Sequence, residues 1–267
     1  MIRPPAVAGR FYPLDTVELA RQIDEFSRGG AEKETALACV VPHAGYMYSG
    51  HVAGAVYSAL KIPARCILLG PRHYPQGQSM AIFSEGSWQT PFGEAHIDSS
   101  LASELARACP SLREDSVAHE REHSLEVQIP FLQRLAGAFQ FVPVVIGTDR
   151  YPLMEQLGRA VANVISEQQE PVLAIVSSDM NHYESDAITR VKDRRAIERI
   201  LALDPRGLYD TVRAEGITMC GYAATVAMLV AVRELGATKA RLVRYATSGD
   251  ITGDPDQVVG YAGIILR

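Results

Sequence analysis

The sequence predicts an α/β protein: a mainly parallel or mixed central sheet with helices on both faces. Three observations lead there. Short apolar runs rich in β-branched residues stop abruptly at glycine, proline or polar residues. Segments of helical period lie between them. Most of the runs are apolar at every position rather than at alternate ones, as strands read when helices cover both faces of a sheet.

Taken in order, the first helix is predicted over 16–27, where Val17, Ala20, Ile23 and Phe26 share a face. A strand follows over 37–41, then a helix over 49–60 with Ser49 as its expected cap. The second strand, 66–69, runs into Gly70-Pro71. Residues 76–93 are the least regular and predict a hairpin or excursion near Trp88, with a short strand at 80–83. Ser99 is the expected cap of a helix ending at 108, and helical spacing returns over 124–135. Strand 141–146 precedes a helix over 152–167, which Pro152 opens at a position where its missing N–H has no partner to lose. Strand 172–176, helices 186–203 and 222–235, and strands 241–245 and 258–266 complete the chain. No repeat, low-complexity tract or charged linker divides it, so one domain over 1–267 is expected.

The chain has 267 residues, enough to bury a core without disulfides or a structural metal. A net charge of −5 leaves no basic footprint and argues against nucleic acid as a partner. No run approaches the roughly 20 apolar residues a membrane span needs. The N-terminus has no signal-like apolar segment, and Cys39, Cys66, Cys109 and Cys220 form no CxxC pair. Reduced thiols and a cytoplasmic location are the expectation.

Chemistry gathers where strands end. Residues 37–41 lead into Pro42-His43-Ala44-Gly45, and 66–69 into Gly70-Pro71-Arg72-His73. After 141–146 comes Gly147-Thr148-Asp149, after 172–176 Ser177-Ser178-Asp179-Met180-Asn181-His182, and after 241–245 Thr247-Ser248-Gly249-Asp250. Carboxyl ends of parallel strands share one edge, and ligands bind in the crevice outside it. A neutral imidazole is a common metal ligand, so His43 and His73 become candidate ligands. Cys220, just before the helix at 222–235, is a candidate third ligand whose thiolate the helix dipole would favour; a small buried hydrophobe is the bland alternative. His123 opens the segment at 124–135 and is a site candidate, with Glu122 and Glu126 explained by the same dipole. Asp179 and His182, three apart, could supply a ligand, an orienting group or a general base, against a plain turn-capping role for Asp179. His119 and His123 are four apart, a spacing that suits a shared metal on one helix face, but His119 is expected to precede the helix, and His51 and His96 read as structural or surface residues. Hydrolysis through Ser124 or Cys220 ranks last, because no G-x-S-x-G elbow is present.

Several motifs together resemble the Memo family, whose prokaryotic members are called AmmeMemoRadiSam system protein B. They are Ala6-Val7-Ala8-Gly9 with Phe11-Tyr12-Pro13, Pro42-His43-Ala44-Gly45-Tyr46, Gly70-Pro71-Arg72-His73, Trp88-Gln89-Thr90-Pro91-Phe92-Gly93, Glu122-His123-Ser124-Leu125-Glu126, Ser177-Ser178-Asp179, Cys220-Gly221 and Thr247-Ser248-Gly249-Asp250. The resemblance implies a fold like that of class III extradiol dioxygenases. It places His43, His73 and Cys220 on the metal-ligand positions, the cysteine standing where those enzymes have glutamate. His123, Asp179 and His182 then surround the pocket as catalytic candidates, His182 matching the acid/base histidine. The implied cofactor is Fe(II), with Cu or Zn as alternatives that a thiolate favours. The implied function is a non-haem metal-dependent oxidoreductase acting on an unidentified small molecule or peptide. The system name implies AMMECR-type and radical-SAM proteins as partners. The alternative is a non-catalytic module that binds an anionic or phosphotyrosine-type peptide in the same pocket, with Arg72 near enough to receive the charge.

Overall fold

The structure, a computed structural model, describes residues 1–29 and 32–267. In chain order the elements are β1 (Ile2–Arg3), α1 (Thr16–Phe26), β2 (Ala38–Val41), α2 (Tyr46–Ser58), β3 (Arg65–Pro71), β4 (Met80–Ile82), β5 (Ser87–Thr90), β6 (Gly93–Ile97), α3 (Ser99–Ala108), β7 (Arg113–Glu114) and α4 (Val117–Glu120). There follow a 3-10 turn (Glu126–Gln128), α5 (Ile129–Leu135), β8 (Gln140–Ile146), α6 (Tyr151–Ser166), β9 (Val172–Ser177), β10 (His182–Glu184), α7 (Asp186–Leu201), α8 (Pro205–Ala214), α9 (Tyr222–Glu234), β11 (Ala240–Thr247), α10 (Gly249–Thr252) and β12 (Val258–Leu266).

One sheet runs through the molecule in the order β1-β5-β6-β8-β3-β9-β2-β12-β10. Its centre, β8-β3-β9-β2, is parallel throughout, and these strands are apolar and buried because neither face meets water. The register sets Val41 beside Ser177, and Leu69 beside Val176 and Val144. The chain therefore leaves β2, β3 and β9 side by side on one rim. Antiparallel neighbours flank this centre: β12 beside β2, and β4 beside β8. The sheet is mixed, as expected.

Helices cover both faces. A Cβ on Gly263 would meet Val52 and Val56 of α2, whereas one on Gly260 would meet Asp193 of α7. Positions three apart on a strand point to opposite faces, so α2 and α7 lie on opposite sides of β12. α1, α2 and α5 pack together on one side, and α3, α6, α9, α8 and α7 form a continuous layer in that order. Among the described residues no helix is long and apolar enough to cross a membrane.

Several local expectations are corrected. Ser49 is not a cap: α2 begins at Tyr46 with Gly45 as its cap, and the buried Ser49 hydroxyl donates to the Ala44 carbonyl. Asp98 rather than Ser99 caps α3, accepting the N–H of Leu101. The helix expected over 124–135 is a 3-10 turn followed by α5, so His123 lies in a loop. Pro152 does open α6, and the irregular stretch holds the β5–β6 hairpin around Trp88.

Candidate metal centre

His43 follows β2 and Pro42, and its backbone N–H donates to Asp179 Oδ1 at 2.8 Å. Its ring Nδ1 lies 2.9 Å from Ser177 Oγ. The Ser177 hydroxyl spends its one hydrogen on the Ser124 carbonyl at 2.6 Å, and its oxygen also accepts from Gln128 Nε2 at 2.8 Å. Gln128 is fixed in turn, since the same nitrogen donates to the Pro42 carbonyl and Oε1 accepts from Tyr57. Ser177 can therefore only accept from His43. We assign the proton to Nδ1, which leaves the Nε2 lone pair facing the pocket. Burial, reinforced by the neighbouring His73, holds the His43 pKa well below its usual value, so the ring is neutral and able to ligate.

His73 is oriented by a carboxylate. Glu122 Oε2 accepts the His73 backbone N–H at 2.6 Å and Oε1 accepts its ring Nδ1 at 2.8 Å. Burial pushes the Glu122 carboxyl up, but the hydrogen bonds and charge of His73, with the Ser124 N–H, outweigh it and hold the pKa at about 2. The Nε2 of His73 is again the free nitrogen. A carboxylate behind an imidazole in this way fixes its tautomer and raises its basicity towards a metal.

His123 completes the cluster. Its ring stacks on His73 at 4.5 Å and meets His43 edge-on at 5.6 Å. One ligand nitrogen from each of His43, His73 and His123 lies within 4.8 Å of the others. Burial, with His43 beside it, lowers the His123 pKa to about 4, and its buried Nδ1, 3.6 Å from Glu122 Oε1, makes no hydrogen bond.

Cys220 reaches the cluster beside His43, its Sγ 3.3 Å from Nε2 and also 3.3 Å from the Asp179 backbone N–H. Two donors on one tetrahedral ion sit about 3.6 Å apart; the Cys220–His43 spacing is close to that, but Cys220 stands outside the group of three whose donor atoms lie within 4.8 Å of one another. The dipole argument for a thiolate does not hold: burial, with Asp179 adding to it, raises the thiol pKa. Asp179 is itself buried, and that burial raises its carboxyl. His182 stands further out on β10. Its Nδ1 lies 2.9 Å from the Thr218 carbonyl, which can only accept, so its Nε2 is free to take a proton. The next residue, Tyr183, has φ of 60° and is 72% exposed at the cavity wall.

These groups line one cavity of about 950 Å³. His43, His73, His123, Asp179, His182 and Cys220 all reach it, as does Ser248. Asp149 does not: it lies exposed beside Arg213, because the chain leaving β8 turns towards α8. Arg72 also turns away, donating to the Gly77 carbonyl at 2.7 Å, and Arg10 is the one lysine or arginine among the lining residues. Ser124 is buried with its hydroxyl on the Pro71 carbonyl. His119 packs against Trp88 and Phe83, away from the cluster. The sequence reading missed Glu122, Ser177 and Gln128 as orienting groups. Ser177, two residues before Asp179 at a strand end, carried the only signal that could have found one of them.

Fold and site define the class: an α/β protein whose parallel sheet edge presents a histidine cluster able to hold a metal ion. The chain belongs to the Memo family, matching the family described as Memo-like protein over residues 3–265. It is 41% identical over 281 residues to a MEMO1 family protein of Methanopyrus kandleri, covering 100% of this chain and 99% of that one. A MEMO1 family protein of Methanosarcina barkeri is 39% identical over 268 residues, with 100% of both chains covered. Among solved structures, an uncharacterised protein from Escherichia coli K12 superposes with a TM-score of 0.61 at 12% identity, over 85% of this chain and 98% of that one. That likeness shows the shared fold.

Proposed function

We propose that the chain is a mononuclear metal-dependent oxidoreductase of dioxygenase-like fold. The observation that carries the reading is convergence: one ring nitrogen from each of His43, His73 and His123 lies within 4.8 Å of the others, and His43 and His73 each commit Nδ1–H to a protein acceptor. The donor set fits a metal. His43 and His73 would hold it, with Cys220 and His123 as the neighbouring donors, and Fe(II) is the proposed ion ahead of Cu or Zn. Bound there, such an ion would supply Lewis-acid polarisation and electron transfer between a substrate and dioxygen. The chain's own residues do the rest. Asp179 fixes the His43 backbone. His182 Nε2 takes a proton from a substrate hydroxyl at the cavity wall.

The test is an anaerobic metal analysis of reduced protein purified without chelator. One ion per chain is expected, lost in the His43→Ala/His73→Ala double variant; no metal affinity at neutral pH refutes the proposal. Loading with Co(II) then separates the donors, because a thiolate-to-cobalt absorption band that disappears in Cys220→Ala identifies sulfur as a ligand.

A second reading is supported by Arg10, which has no carboxylate partner among the described residues and lies in the cavity lining. In that reading the pocket receives an anionic group, such as a phosphotyrosine-type peptide, without turnover. His43→Ala would then weaken peptide binding while no oxidation occurs with any diol.

A further inference from the structure

The loop from His119 to Glu126 carries both Glu122 and His123, and the central sheet holds it at Ser124, through the Pro71 carbonyl of β3 and the Ser177 hydroxyl of β9. The rest of it is held by a buried ion pair from the start of the chain. Arg3 lies on β1 beside Trp88, with its side chain 2% exposed. Its guanidinium uses every nitrogen. Nε donates to the His119 carbonyl at 2.7 Å, one terminal nitrogen to the Glu122 carbonyl at 2.7 Å, and the other to Glu126 Oε2 at 2.7 Å and the Pro4 carbonyl at 3.3 Å. Its plane rests on the Trp88 ring at 4.2 Å.

Glu126 grips the other wall. Its carboxylate accepts the N–H of Ala6 at 2.7 Å, the N–H of Val7 at 3.0 Å and the Tyr12 hydroxyl at 2.8 Å. Those three groups bracket the turn that presents Phe11, whose ring lies 4.8 Å from that of His123. Neither Arg3 nor Glu126 lines the cavity.

We propose that the Arg3–Glu126 pair is the positioning element of the metal centre, setting where Glu122 aims His73 and where Phe11 and the loop hold His123. The proposal rests on the metal-centre reading for its purpose, though its structural consequence is readable without metal. The cluster then has two arms that meet at Ser177, which accepts from His43 and donates to the Ser124 carbonyl. His43 hangs from the parallel sheet through Ser177 and Asp179, whereas Glu122 and His123 lie on a loop that Arg3 pins at the His119 and Glu122 carbonyls. A buried ion pair is weak evidence for stability alone, since well-packed apolar groups often replace one at no loss. A guanidinium that spans three carbonyls and a carboxylate has a geometric role that an ammonium cannot copy.

The experiment compares Arg3→Lys, Arg3→Met and Glu126→Gln with the parent protein. In the metal-free state, long-range 1H–15N spectra report each imidazole tautomer. The His73 and His123 signals are expected to shift or broaden in all three variants, while the His43 signals stay as in the parent. Zn(II) affinity is expected to fall by about 10-fold or more, as for loss of an outer-shell partner. Variants that lose thermal stability but keep parental His73 signals and parental Zn(II) affinity overturn the proposal and leave a purely structural pair. Should Arg3→Met fail to fold, Arg3→Lys and the near-isosteric Glu126→Gln carry the same comparison. A parent protein that binds no metal, but whose His73 signals still respond to Arg3, upholds the positioning role and refutes the metal-centre reading instead.

Discussion

Replacing Glu122 with glutamine tests the orientation of His73 most directly. The carboxylate accepts three N–H groups, from the His73 backbone, the His73 ring and the Ser124 backbone, at 2.6, 2.8 and 2.9 Å. Glutamine keeps one oxygen and sets an NH2 against at least one of these donors. Leaving a buried donor unpaired costs about 1–3 kcal/mol. The pH dependence gives an independent figure. The folded pKa is about 2 against 4.5 for the free group, a depression worth about 3 kcal/mol. Because the folded value is the lower one, this stabilisation is fully present above pH 4.5 and is lost as the pH falls from there towards 2. Urea unfolding of metal-free protein at pH 7 should therefore show the variant less stable by about 1–3 kcal/mol. The gap should shrink steadily between pH 4.5 and pH 2, over the window set by the two pKa values. Metal affinity should fall by about 10–100-fold. A variant with parental metal affinity and a stability gap that does not change with pH would refute the reasoning.

Two further substitutions probe other links. Ser177→Ala removes the acceptor of His43 Nδ1–H and strands the Ser124 carbonyl, so histidine 15N spectra should show His43 as a tautomer mixture, with a stability loss of about 1–3 kcal/mol by urea unfolding. Asp193, beneath β12, is raised by burial to about 7 from 3.8 despite bonds from Tyr245 and Asn181. Its folded pKa is the higher one, so its contribution is greatest below pH 3.8 and is lost as the pH rises towards 7. Asp193→Asn should flatten that decline in a pH series of urea melts, and an unchanged slope between pH 4 and 7 would count against it.

His43, His73 and Asp179 were legible because strand ends in a parallel sheet obey a positional rule, and the rule needs only the strands. The parallel centre was legible for the same reason, its runs being apolar at every position. Glu122 was not, since a glutamate ahead of a helical segment already has a sufficient generic explanation in the dipole; only the fold shows that its carboxylate turns back to His73. No helix was expected at α8, whose Pro205 and Gly207 are the two poorest helix formers. In the fold Pro205 opens the helix, and Asp204 caps it by accepting the Gly207 N–H at 2.8 Å. Cys220 shows the converse error. Its place before α9 was read correctly, but the inferred thiolate ignored burial, which raises the thiol instead.

That last error bears on how the centre works. Burial holds His43 neutral, keeps His123 neutral down to about pH 4, and raises the Cys220 thiol so that it keeps its proton. Three of the groups at the cluster are thus poised without charge, and the compensating negative charge sits behind it on Glu122 rather than inside it. On the reading proposed above, a cation held there would meet the neutral imidazoles of His43 and His123, with the Glu122 carboxylate behind His73. It would also supply the influence able to deprotonate the Cys220 thiol, since coordination by a cation lowers a thiol pKa strongly. Under that proposal sulfur ligation and proton release would be one event at Cys220, and the pocket would carry a thiolate only with the ion in place.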